Sequence, residues 1–310
     1  MQKFKTYLQG KGLSPATIRQ HQRQAGLFGT WYGSNELINC RKKDILDYLS
    51  YLKNTKKLQV TTRNHVLLSL RHYFDSLMND TLTASNPTAL IKLRGLNKRK
   101  LPHVYTPEEL TELVDNYYLL EVKQVEEKMN LPERKARHRD SYLARIRNYV
   151  MLQFFAYQGV NTREILQLRT DDIQLHKATV TIPKGIQRGN ARTLPLNAAQ
   201  MGALMQYLNE VRPQLANPDG YILFTPLKQK NGASAANIAL VKLSAQLKRI
   251  DRNFSNLAQL RASVITHWIK TYGLRKAQYM AGHKSIVSTE EYLPNHIEDL
   301  ADDMTKFNPF

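Results

Sequence analysis

Apolar residues recur at helical spacing along most of this chain and at strand spacing in one short stretch. Near the N-terminus, Ser14-Pro15 offers an N-cap followed by proline at the first helical position, which predicts a helix over 16–32. Ile45, Leu46, Tyr48, Leu49 and Leu52 mark a second helix over 43–53. Val66, Leu67, Leu70, Tyr73, Phe74 and Leu77 form one face of a third over 61–79. Asn86-Pro87 to Leu93 predicts a capping turn and a short helix. Together these elements describe a small helical bundle.

A basic stretch follows, with Lys92, Arg94, Lys98, Arg99 and Lys100 close to Gly95, Asn97 and Pro102. Clustered like charges among turn formers make a poor core and a good strap along phosphates. The predicted division is therefore a bundle over 1–95, a linker over 96–105 and a second domain over 106–310. Thr106 opens that domain as an N-cap, with Glu109 at the capping-box position. The heavily charged stretch 121–147 reads by default as a solvated face, with a contact to a phosphate backbone as the sharper alternative. From Tyr149 the chain turns apolar and forms a helix ending near Gly159, then a short helix over 162–168. Alternating residues over 178–182 and 192–196, joined through Lys184, Gly185, Gly189 and Asn190, predict a β-hairpin with a basic tip. From Asn197 the chain is helical again apart from 217–230. The fold class is mainly α with a small β-sheet, a helical bundle followed by an α+β domain.

Charge adds a partner to this outline. Among 310 residues there are 45 Lys plus Arg against 26 Asp plus Glu, a formal net charge of +19. Such an excess attracts polyanions by counterion release, so nucleic acid is the leading partner. Cys40 is the one cysteine. It excludes an intramolecular disulfide or a Cys-based zinc site, reads as a small core residue and fits a reducing compartment. No apolar run reaches the roughly 18 residues of a membrane span, so a soluble intracellular protein is expected.

The stretch 257–292 carries the chemistry. Arg261 begins a segment in which Val264, Ile265, Trp268, Ile269 and Tyr272 recur at helical spacing, Gly273 ends it, and a shorter helix over 274–281 stops at Gly282-His283. Ser285, Ser288 and Thr289 supply turn and N-cap chemistry ahead of Glu290, Glu291 and Tyr292. An arginine fork, an imidazole and a phenol can thus meet on one phosphate. This order resembles the C-terminal motif of the tyrosine recombinase (phage integrase) family: H-x-x-R, then G-H, then a nucleophilic tyrosine. Leu13-Ser14-Pro15, Thr61-Thr62-Arg63-Asn64 and Leu70-Arg71-His72-Tyr73-Phe74 are similar to that family's SAM-like core-binding domain.

The resemblance implies a two-domain, Xer-like integrase that cuts and rejoins double-stranded DNA through a 3′-phosphotyrosyl link. It implies no cofactor and no metal, and a homotetramer on two DNA sites. Accessory DNA-bending proteins or a paralogous recombinase are further partners, and the setting is the cytoplasm, at the nucleoid. Tyr292 is the implied nucleophile, Arg261 and His283 the implied phosphate ligands, and Lys184 the implied acid for the leaving oxygen. Arg63, Arg71, Lys98, Arg99 and Lys100 are implied DNA contacts. The segment from His296 to Phe310 carries Ile297, Leu300, Met304 and Phe307 at helical spacing, as a tail that docks on a neighbouring protomer or folds back on its own core.

Two positions depart from the family pattern. Asn161 stands where Gly-Leu-Arg-x-x-Glu-Leu has its arginine, and Ala258 stands where a histidine precedes Arg261 by three residues. Asn161 offers a neutral amide and Ala258 no side-chain donor. Losing one preorganised donor typically costs about 3 kcal/mol of transition-state stabilisation. Arg163, Arg188 and Arg192 are the candidates to restore the charge. The alternative is a recombinase-fold DNA-binding partner or regulator with weakened or lost cleavage; an RNA-binding protein is more distant.

Overall fold

A computed structural model describes residues 1–33, 37–93, 103–129, 135–185, 189–215, 222–224 and 232–293. The chain divides into two compact units, Met1–Lys100 and Leu101–Phe310.

The first unit contains helices α1 (Gln2–Gly10), α2 (Pro15–Tyr32), α3 (Lys42–Asn54) and α4 (Val60–Asn79). The Ser14 hydroxyl accepts the Thr17 N–H at 3.2 Å and opens α2 as predicted. Helix α4 packs against α1, α2 and α3. Phe28, Ile45, Leu70 and Phe74 are fully buried between them. Cys40 is in this core, where burial pushes its thiol up to about 12 and leaves it unreactive. The expected short helix before Leu93 does not form. Asn86 instead folds the segment into a turn, its Oδ1 accepting the Thr88 N–H at 2.8 Å and its Nδ2 donating to Asp75 at 2.7 Å.

The second unit begins with α5 (Pro107–Tyr117), where Thr106 and Glu109 form the predicted capping box. A π-helical turn (Tyr118–Lys123) leads into α6 (Gln124–Met129), and α7 (Lys135–Gln158) forms the spine of the core. Val150, Leu152, Phe154 and Phe155 of α7 are fully buried. The charged stretch before Tyr149 is not simply a solvated face. Glu121 pairs with Arg145 at 3.1 Å and Arg249 at 2.9 Å, and Arg147 and Asn148 are buried. Once α7 turns inward, these polar groups have to be matched locally, because an unpaired buried charge is expensive.

Helix α8 (Thr162–Gln167) leads to an antiparallel sheet of β1 (Ile173–Gln174), β2 (Thr179–Ile182) and β3 (Arg192–Pro195), in that order. The hairpin was expected and the two-residue strand β1 was not. Register pairs Ile182 with Arg192 and Val180 with Leu194. All four side chains are buried, so the pleat carries Arg192 inward with the apolar residues. Next come α9 (Ala198–Gln206), α10 (Gly232–Ile250), α11 (Leu257–Ala281) and α12 (Val287–Glu290). Helix α11 breaks at Gly273, whose φ of 77° lies in the region that favours glycine.

Candidate active site

Asn161 caps α8. Its Oδ1 accepts the N–H groups of Arg163 and Glu164 at 2.9 and 3.0 Å, while the Glu164 carboxylate reaches back to the Asn161 N–H at 2.9 Å. This capping box fixes a buried carboxylate near two arginines. Arg192 binds Glu164 through both Nη atoms, at 2.9 and 3.1 Å, with its side chain 1% exposed. Arg261 approaches the same carboxylate at 3.3 Å.

Arg261 lies in the second turn of α11 and is 8% exposed. Its Nη1 donates to the Gly159 carbonyl, and its Nη2 donates to the Ala281 carbonyl at 2.7 Å and meets His283 Nε2 at 3.2 Å. One guanidinium therefore ties the end of α7 to both halves of α11. Two glycines permit this approach. Gly159 has φ +53°, and a Cβ there would lie 2.9 Å from Val264 Cγ1. Gly282 has φ +71° and ends α11; a Cβ there would lie 2.5 Å from Arg192 Nη1.

His283 follows Gly282. Its Nδ1 is 2.9 Å from the hydroxyl of Thr289, which is fully buried. The His283 and Tyr292 rings are stacked 6.0 Å apart at 12°. The Tyr292 N–H donates to the Thr289 carbonyl at 3.1 Å. Thr289 was expected to supply N-cap chemistry; it lies inside α12 instead, and its hydroxyl serves the imidazole.

The electrostatics follow from burial around fixed charges. Burial lowers the Arg261 pKa, and Glu164 and then the Tyr292 phenol, through charge and a hydrogen bond, oppose the shift. A guanidinium remains protonated throughout the working pH range. Burial alone would raise Glu164, but its hydrogen bonds to Arg192 and the charges of both arginines hold it below the usual carboxylate range. Burial, then Arg261 and Arg192, push His283 down to about 4, so the ring is neutral at pH 7. The site is a neutral imidazole and a phenol against a buried cation whose partner carboxylate is shared with a second cation.

The other predicted residues lie outside this cluster. Lys184 is exposed after β2 and lines a cavity of about 540 Å³ with Gln167, Arg169 and Asp172; among the described residues no hydrogen bond joins it to Arg261 or His283. Arg163 is exposed, away from Glu164 on its helix. Arg192 is committed to Glu164, which corrects its expected role as a substitute phosphate ligand: an arginine buried in a two-point pair supports the site from beneath. Ala258 is exposed on the first turn of α11. Arg71 donates to the Thr88 and Ile91 carbonyls at 3.4 and 3.2 Å, holding the return from α4, and Arg63 is half-buried. Arg188, Lys98, Arg99, Lys100 and the 296–310 tail lie outside the described residues. Sequence reasoning missed Glu164 and the hydroxyl of Thr289. The Asn-x-x-Glu capping box was a legible signal for Glu164; no local pattern announced the contact from Thr289 to His283.

The chain matches known proteins over most of its length. The model of the phage integrase family matches residues 119–298, and that of the phage integrase N-terminal SAM-like domain matches residues 1–84. The chain belongs to the phage integrase family, the tyrosine recombinases.

Among its relatives, the TnP I resolvase of Bacillus thuringiensis is 24% identical over 305 residues, covering 95% of each chain. Tyrosine recombinase XerD of Listeria innocua is 24% identical over 307 residues, covering 96% of this chain and 94% of its own. The fold is shared with the Tn1549 transposon integrase in complex with a circular intermediate DNA (TM-score 0.67, 16% identity, 96% of this chain and 98% of that one). It is also shared with a lambda integrase tetramer bound to a Holliday junction (TM-score 0.66, 13% identity, 94% and 75%).

Proposed function

We infer that this protein is a site-specific DNA recombinase that cuts and rejoins duplex DNA with Tyr292 as its nucleophile. One observation carries this reading: the Arg261 guanidinium, the His283 ring and the Tyr292 ring form a continuous cluster, with Nη2 3.2 Å from Nε2 and the two rings stacked at 6.0 Å. A tyrosine is a weak nucleophile until positive charge stabilises its oxyanion and the charge developing on phosphorus. Arg261 supplies that charge. The Tyr292 phenol gives its proton to water as its oxygen attacks the scissile phosphorus, the bond to the 5′-oxygen breaks and that oxygen departs with a proton from an acid, and a 3′-phosphotyrosyl ester conserves the bond energy. Attack by another 5′-hydroxyl rejoins the strand and frees Tyr292.

Lys184, on the β2–β3 connection, is the proposed proton donor to the leaving oxygen, reaching it once DNA brings the connection over the phosphate. Asn161 and Ala258 leave fewer donors around the phosphate, so cleavage is slow relative to a site with both residues charged or protic. The lambda integrase tetramer supports a tetramer on two duplexes. The Tn1549 integrase supports a role in a mobile element. The proposed setting is the cytoplasm, at the nucleoid, where a DNA recombinase meets its substrate.

The test is trapping of the covalent adduct. Nicked duplexes with randomised flanks lose the 5′-hydroxyl fragment after cleavage and cannot be rejoined. Wild type is expected to give a denaturant-resistant protein–DNA adduct, and Tyr292→Phe none. An adduct in both would move the nucleophile elsewhere. No adduct in either, with salt-dependent duplex binding retained, would favour the DNA-binding partner.

A further inference from the structure

Thr289 holds a position that cleavage by Tyr292, as described above, leaves unused. It is fully buried, its hydroxyl is 2.9 Å from His283 Nδ1, and its carbonyl accepts the Tyr292 N–H at 3.1 Å. One residue thus binds the imidazole through its side chain and the nucleophile's backbone through its carbonyl.

The hydrogen-bond network fixes which nitrogen of His283 carries the hydrogen. Every nitrogen of a guanidinium is a donor and none accepts. The 3.2 Å contact between Arg261 Nη2 and His283 Nε2 therefore requires a bare lone pair on Nε2. A neutral ring then carries its hydrogen on Nδ1, and the Thr289 oxygen must accept it. A phosphate oxygen, however, is an acceptor only. For His283 to hold a phosphate, Nε2 must carry the hydrogen and Arg261 must turn its donor elsewhere. A carboxylate or carbonyl at Nδ1 would pin the first arrangement, because it can only accept. A hydroxyl can accept from Nδ1–H and, after rotating about its C–O bond, donate to a bare Nδ1.

We propose that Thr289 is a positioning residue that lets His283 exchange tautomers on DNA binding, accepting from Nδ1 in the free protein and donating to Nδ1 when Nε2 donates to the scissile phosphate. Water delivers a proton to Nε2 and removes the one on Nδ1, so the ring is neutral before and after the exchange and no net proton is taken up. The charged and titratable groups facing the ring are Arg261 and Arg192, whose charges disfavour a second proton, and Glu164, which favours one; Tyr292 stacks on its face. This proposal rests on the recombinase reading for its catalytic consequence and on geometry alone for the free protein.

The test uses the full chain with Thr289→Val, which keeps the shape and loses the hydroxyl, Thr289→Ala as a second hydroxyl-free variant, and Thr289→Ser, which keeps the hydroxyl. Imidazole nitrogen NMR of the DNA-free protein is expected to show the His283 hydrogen on Nδ1 in wild type and Thr289→Ser; in the hydroxyl-free variants Nδ1–H loses its acceptor, which opposes the preference set by Arg261, so a tautomer mixture is expected. In single-turnover trapping, those variants are expected to lose roughly tenfold to a hundredfold in rate with duplex binding unchanged, part of what one misdirected donor costs. Their pH–rate profiles should shift, while Thr289→Ser restores both rate and profile. A hydrogen on Nε2 in free wild type, an unchanged tautomer in the hydroxyl-free variants, or equal losses in Thr289→Val and Thr289→Ser would overturn the proposal. A wild type that forms no adduct would overturn the recombinase reading, and NMR would still decide whether Thr289 governs the ring.

Discussion

At the scale of single residues, geometry separates groups that chemistry alone would treat alike. Arg192 and Arg261 both touch Glu164, but only Arg261 also reaches His283. Arg261→Lys keeps a charge and loses the fork that binds the Gly159 and Ala281 carbonyls. Adduct formation is expected to fall roughly a hundredfold or more, with duplex binding nearly unchanged, as measured by single-turnover trapping beside a binding titration. Asn161 has a different role from the arginine it replaces. Its Oδ1 caps α8, so Asn161→Ala is expected to cost about 1 kcal/mol of stability in denaturant unfolding. Asn161→Arg should exchange that cap for charge, raising the cleavage rate while lowering stability. Asn161 was legible in the sequence as a departure from a pattern. That it acts as a cap followed only from its backbone, because an amide side chain serves equally well in a turn, a cap or a site.

At the scale of elements, the site depends on where helices stop. Gly159 ends the approach from α7, Gly273 breaks α11, and Gly282 turns the chain toward His283, all with positive φ. Gly282→Ala would combine a left-handed residue with a Cβ 2.5 Å from Arg192 Nη1, a contact that the ion pair with Glu164 does not let Arg192 relieve. A loss of about 1–3 kcal/mol is expected, read as a lower denaturant midpoint with an unchanged slope. Most of the helices and the hairpin were legible because apolar spacing and caps are local signals, but α1 was not singled out and the helix expected before Leu93 is a turn. The two-residue strand β1 and the π-helical turn at Tyr118–Lys123 were not: two residues pairing with nearby β2 are too few to show an alternation, and Glu121 of the turn is held by Arg145 and Arg249 from other helices.

At the scale of the molecule, charge and burial set the response to solution conditions. A net charge of +19 predicts duplex affinity that falls steeply and log-linearly with salt, which a binding titration across salt concentrations would check. Acid acts on folding through buried imidazoles. His283 titrates at about 4 in the folded chain against an ordinary 6.5, so the unfolded chain binds more protons between those values. Stability must therefore fall as pH drops through that window. His21, lowered by burial and then by His72 and His65, and His72, lowered by burial and then mainly by Lys11, act in the same direction. Glu164, held below its ordinary value, adds a loss at still lower pH as it is forced to protonate. Thermal melts across pH should show the decline starting near 6.5, and His283→Gln should make the 4 to 6.5 segment shallower. An unchanged slope in that variant would contradict the burial-driven shift.

The sequence by itself determined the mainly helical class, the basic partner preference and the order of Arg261, Gly282-His283 and Tyr292. Spacing, caps and net charge are properties of neighbouring residues or of simple sums. The tertiary structure decided how each cation is held and what meets the imidazole: Arg192 forms a two-point pair with Glu164, Arg261 also reaches His283, Arg163 is exposed, and the Thr289 hydroxyl lies 2.9 Å from His283 Nδ1. Those assignments depend on segments from different elements arriving within hydrogen-bonding distance: Glu164 meets Arg192 across 28 positions and Arg261 across 97, and Gly159 meets Arg261 across 102. Only the packed core brings such residues together, and no local pattern in the chain encodes the meeting.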